Sequence, residues 1–96
     1  MNPTPQQQLT ALRGQIDAID RQLLELFGQR MRLSDEIAEA KRGGGIAVTD
    51  PAREREVVDA ALSRTAEEDR EPVRKFMETL IALSKERQQR RMGGEG

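Results

Sequence analysis

Positions 9, 12, 16, 19, 23, 26, 30, 33, 37 and 40 carry Leu, Leu, Ile, Ile, Leu, Leu, Arg, Leu, Ile and Ala. Steps of three and four alternate without a break, the signature of one long helix with a buried seam. The series predicts a helix over about 6–42 that buries this stripe against other helices. No proline interrupts it, and Gly14 and Gly28 weaken it only modestly. At 1.5 Å per residue it would run ~55 Å, too long for so short a chain to cover alone, so it is expected to reach across a partner. Gly43-Gly44-Gly45 ends it and Ile46-Ala47-Val48 connects onward. Asp50 then reads as an N-cap, with Pro51 at the first helical position. A second helix is predicted over 50–67, its inner face built by Val57, Val58, Ala61 and Leu62. A third is predicted over 70–91, with Pro72 tolerated in its first turn and Val73, Phe76, Met77, Leu80, Ile81 and Leu83 as its apolar residues. Residues 92–96 are expected to fray. The fold class is therefore all-α: a single domain over 1–96, three helices with a very long first one.

Arg30 is the exception on the first seam. A guanidinium cannot shed its charge, so it needs an anion if buried. Two anions fit, a protein carboxylate such as Glu54 or a ligand.

With 96 residues the core is thin for a monomer, which favours oligomerisation. Net charge is −1 with both signs mixed, against recognition of nucleic acid or membrane by bulk charge. There is no apolar run of membrane-spanning length, and the start has no basic or apolar leader segment. A cytoplasmic location is the resulting expectation. Cys, His, Trp and Tyr are all absent. A thiolate nucleophile, the commonest general base and the commonest metal ligand are thus missing, and neither a metal nor a cofactor is expected. An enzyme of this composition would rely on positioning and fixed charge.

Specific polar groups interrupt each apolar stripe. Lys41 follows Arg30 by eleven residues, close to three turns, so both project from one face ~16 Å apart. On the second helix Asp50 and Glu54 are one turn apart, with Arg53 beside them. On the third, the stripe runs into Ser84 and then Gln88. Together they fit a small hydrogen-bonding pocket with apolar walls such as Ile37 and Ile81. Arg13 lies ~25 Å from Arg30 along the helix, too far to share one small ligand within a chain. A role in binding would put it in the second site of a symmetric dimer. Taken singly, each group has a plain explanation: Lys41 favours a helix C-terminus, Asp50 caps, Ser84 and Gln88 are ordinary polar helix residues, and Arg13 is an exposed charge.

Taken jointly, the sequence resembles the all-helical (type II) chorismate mutases. The stretches that carry the likeness are Leu12-Arg13-Gly14-Gln15-Ile16-Asp17-Ala18-Ile19-Asp20, Leu23-Leu24-Glu25-Leu26, Arg30, Ala40-Lys41, Asp50-Pro51-Ala52-Arg53-Glu54-Arg55 and Ile81 to Gln88. The resemblance implies an intertwined helical homodimer that rearranges chorismate to prephenate on the route to phenylalanine and tyrosine. It implies that Arg30, and Arg13 from the partner chain, hold the substrate carboxylates. Lys41 and Gln88 would donate to the ether oxygen, making Lys41, Gln88 and Arg30 the catalytic set. Asp50, through its backbone, and Glu54 would hold the ring hydroxyl. Ser84 would bind a carboxylate and Arg53 would support the charge network. Lys85 departs from the family, which usually places an apolar residue there. Two other readings are an isochorismate–pyruvate lyase of the same fold and a non-catalytic helical dimerisation or effector-binding module. The Asp50-x-x-Arg53-Glu54 group favours the mutase over the first, and the filled donor set favours an enzyme over the second.

Overall fold

A computed structural model describes residues 2–93. They form three α-helices: α1 over Pro5–Gly44, α2 over Pro51–Ser63 and α3 over Arg70–Arg91, with a 3₁₀ turn at Glu67–Asp69 before α3. No strand occurs among the described residues, and no helix is long and apolar enough to cross a membrane. The predicted fraying falls partly on residues 94–96, which lie outside those described. The chain divides between Arg30 and Met31 into two units.

The helix ends follow local chemistry. At the start of α1, the Gln7 backbone N–H donates to Thr4 Oγ1 (3.1 Å) and the Thr4 N–H to Gln7 Oε1 (2.8 Å). This reciprocal box, with Pro5 following the cap, sets the first turn. At the other end Gly43 and Gly44 remain helical, beyond the expected stop at residue 42. Gly45 takes φ +67°, a left-handed conformation that favours glycine. Ile46 N–H then bonds the Lys41 carbonyl (2.8 Å) and Gly45 N–H the Arg42 carbonyl (3.3 Å), a Schellman ending. Asp50 caps α2 as expected: its Oδ1 accepts from the Arg53 N–H at 3.1 Å.

α2 stops at Ser63, four residues before the expected Glu67. Hydroxyls account for this. Ser63 Oγ donates to the Ala60 carbonyl (2.8 Å) and Thr65 Oγ1 to that of Ala61 (2.6 Å). Ser and Thr offer the backbone an alternative to the helical ladder, and Ala66 leaves in an extended conformation.

The long apolar seam is not covered by this chain itself. Within the 1–30 unit Leu9, Leu12, Ile16, Ile19, Leu23 and Leu26 are 40–59% exposed. In the 31–93 unit Leu33, Ile37 and Ala40 also face outward. The buried residues of α1 are Met31, Ser34 and Ala38 instead, the parallel series one position along. Ser34 and Ala38 are small, so this stripe lets the 31–44 stretch approach α3 closely. There the Ser34 and Ser84 hydroxyls bond each other directly. Val58 and Leu62 of α2 complete the apolar core, with Val57 and Ala61 half-buried as expected. Three of the buried residues are polar: Ser34, Ser84 and Gln88. Hydrogen bonds among these three satisfy them, as buried polar groups require.

An ion cluster ties the same two segments. Arg87 donates to Asp35 through Nε (2.7 Å) and Nη2 (2.8 Å), and Arg91 Nη2 adds a third bond (3.0 Å). The Arg87 bonds, helped by those of Arg91, outweigh desolvation and hold the Asp35 carboxyl below its ordinary value. They also raise the Arg87 guanidinium. A depressed carboxyl stabilises the fold fully above its unfolded-state value near 3.8, and that stabilisation is lost as pH falls through the lower folded-state value. Asp35→Asn should therefore melt lower than the parent at pH 7. The difference should shrink as pH drops below about 4, into the ordinary carboxyl range. Circular-dichroism melts from pH 7 to 3 measure this. A gap that stays constant across the range would remove Asp35 as the source of acid sensitivity.

Candidate active site

Lys41 leaves α1 just before its glycine-rich end and is half-buried. Its Nζ donates to the Val48 carbonyl at 2.8 Å and to Gln88 Oε1 at 3.1 Å. An ammonium only donates, so Lys41 fixes which way the Gln88 amide points. The Gln88 Nε2 then donates to Ser84 Oγ at 3.1 Å, and Ser84 meets Ser34. Lys41, Gln88, Ser84 and Ser34 thus form one connected chain of hydrogen bonds. Gln88 is only 6% exposed, so its position is set by packing as well as by bonding.

Glu54 sits in the first turn of α2 and faces α3. Its Oε2 lies 3.3 Å from Lys85 Nζ, an ionic contact. The same oxygen is sealed from solvent and has no hydrogen-bond partner. A buried acceptor of this kind has capacity for a donor brought by a ligand. Glu54, Val58, Ile81 and Lys85 lie along a groove of about 500 Å³ between α2 and α3.

The other residues singled out from sequence are placed as follows. Asp50 is exposed and caps α2. Arg53 points to the solvent side, where Nη1 donates to Glu56 Oε1 at 3.1 Å. Arg13, exposed, and Arg30, half-buried, belong to the 1–30 unit. Ile37, expected as an apolar wall, is 45% exposed. Of the expected set, side chain to side chain bonds join Lys41, Gln88 and Ser84, and the Asp50 cap joins that residue to the Arg53 backbone.

Three participants were missed: Ser34, the Val48 carbonyl and the pairing of Lys85 with Glu54. Ser34 had a signal. Met31, Ser34, Ala38 and Lys41 repeat the three-four spacing and end on the lysine. The Val48 contact had none, because it depends on how the loop folds back.

Residues 12–89 match the family described as chorismate mutase type II. The chain belongs to the type II chorismate mutase family. All eight residues of the expected set fall inside the matched stretch. Among individual relatives, a chorismate mutase of Methanocaldococcus jannaschii is 38% identical over 53 residues, 55% of this chain and 54% of that protein. A T-protein of Enterobacter agglomerans is 45% identical over 47 residues, 49% of this chain and 13% of that protein. The chain therefore spans about half the length of the first of these relatives and a small part of the second. No solved structure matches it.

Proposed function

We propose that the protein is a chorismate mutase, converting chorismate to prephenate, and that it acts in the cytoplasm. The observation that carries this reading is the hydrogen-bonded group of half-buried Lys41 with buried Gln88 and Ser84, inside a chain segment matching the family. The reaction is a unimolecular rearrangement in which the ether C–O bond breaks as a C–C bond forms, and no atom enters or leaves. It needs no nucleophile, metal or obligatory proton transfer, which suits a chain without Cys or His. What it needs is a compact substrate conformer and stabilisation of negative charge growing on the ether oxygen. Lys41 and Gln88 supply N–H donors for that oxygen. Glu54 Oε2, buried with unused accepting capacity, suits the ring hydroxyl. Ser84 and the arginines suit the two carboxylates. Loss of chorismate with formation of prephenate, followed by absorbance, tests the reading. Turnover of isochorismate to pyruvate and salicylate in its place would replace it with the lyase.

The proposal includes a homodimer in which Arg13 serves the partner's site. Its support is the exposed stripe from Leu9 to Leu26, six large aliphatic residues that a second copy would cover. Sedimentation equilibrium should give twice the 10.8 kDa chain mass. Mixing inactive Arg13→Ala and Arg30→Ala chains should restore about a quarter of parental activity. In random pairing half the dimers are mixed, and each mixed dimer holds one intact site of two. Proven heterodimers without recovery would exclude a shared site.

A further inference from the structure

Lys85 lines the groove between α2 and α3, where the resemblance implied an apolar residue, and the structure gives it a partner. It follows Ile81 by one turn and precedes Gln88 by three residues, so all three share a face of α3. Its Nζ is 3.3 Å from Glu54 Oε2, and both side chains are about a third exposed. Arg53, the cation adjacent to Glu54 in sequence, is committed to Glu56 on the solvent side. The cation in ionic contact with Glu54 is therefore Lys85 of α3 and not the neighbouring Arg53.

A carboxylate poses a problem in this site. The proposed substrate is a dianion, and an uncompensated Glu54 would repel it. The Lys85 contact removes that repulsion, yet it leaves Oε2 without a hydrogen bond and so still able to accept one. We propose that Lys85 is a positioning residue: it holds Glu54 against α3 with its charge cancelled, so that a hydroxyl acceptor can operate inside an anion site. This rests on the mutase reading above.

The test is a double-mutant cycle on the full chain, with steady-state chorismate kinetics and thermal melts for each variant. The variants are Lys85→Met, Glu54→Gln, the double variant and Lys85→Arg. Lys85→Met should raise KM about tenfold, the scale of one lost contact in a coupled pair, with a smaller change in kcat. Lys85→Arg should restore most of the loss, because it returns the charge. In the Glu54→Gln background, where there is no charge to cancel, adding Lys85→Met should change KM by less than about twofold. If Lys85→Met does not fold, Lys85→Gln, which keeps length and polarity, takes its place in the cycle.

An unchanged KM in Lys85→Met would overturn the proposal, since the groove would then be indifferent to this cation. Additive losses in the double variant would overturn it too, because Lys85 would then touch the substrate itself. An inactive parent would remove the mutase reading and this proposal together. That failure is recognised in the parent alone, before any variant is compared.

Discussion

A Lys41→Met variant is expected to remain folded and to lose chorismate turnover by about 10²–10³-fold, mainly in kcat, the scale of one preorganised donor to a developing oxyanion. The geometry explains why so much should rest on one group. Lys41 Nζ is held by the Val48 carbonyl at 2.8 Å and Gln88 Oε1 at 3.1 Å. An ammonium has three N–H groups, and these bonds use two. The third is available to a ligand from a group that needs no reorganisation. Methionine keeps the length and apolar stem of the lysine but cannot donate. Its structural cost is the loss of this donor to the Gln88 oxygen and the Val48 carbonyl, about 1–3 kcal/mol for each that stays buried. For a chain of this size that lowers the melting point without abolishing the fold at assay temperature. Kinetics and a melt on the same preparation separate the two effects. Activity within tenfold of the parent would take Lys41 out of the reaction.

The second large effect is expected from Gln88→Glu. At neutral pH a carboxylate at this position accepts but does not donate. It would be attracted to Lys41 and would repel negative charge developing on the substrate. Activity at pH 7 should fall by about 10²-fold, comparable to losing one oxyanion donor. The protonated carboxyl can donate again, so activity should rise as pH falls through the carboxyl range. Lys41 works to keep the new carboxyl ionised while its burial works the other way. The parent, with an amide at this position, should show no such acid-side gain. Circular dichroism in the same buffers separates a catalytic change from unfolding. Parallel pH profiles for variant and parent would detach Gln88 from the ether oxygen.

Much of this architecture was legible because its signals are local. Asp50 followed by Pro51 announces a helix start whatever surrounds it, and the three helices follow from periodicity. The inward register of α1 was not legible. Two series interleave along it, 30/33/37/40 and 31/34/38/41, and the more apolar one dominates the pattern. Periodicity reports which faces are apolar, not which of them this chain covers by itself. α2 was read too long because its ending depends on hydroxyls of Ser63 and Thr65 that carry no apolar signal. Within the candidate site, the residue types at 41, 84 and 88 were evident. Their connection through Ser34 and Val48 was not, since it depends on tertiary approach. Nothing in the sequence pairs Glu54 with Lys85; the packing of α2 on α3 brings the two together.

The bond from Gln88 Nε2 to Ser84 Oγ has a thermodynamic consequence for the proposed reaction. An amide nitrogen carries two N–H groups, and Ser84 takes one of them. With Lys41 on the amide oxygen as well, the plane of the amide is fixed, so the second N–H keeps one direction whether or not a ligand is present. Hydrogen bonds to charged acceptors are roughly twice as strong as neutral ones. A donor held in this way would gain more from an ether oxygen carrying developing negative charge than from the ground-state ether, with no reorganisation as the bond breaks. That difference is the differential binding on which catalysis depends.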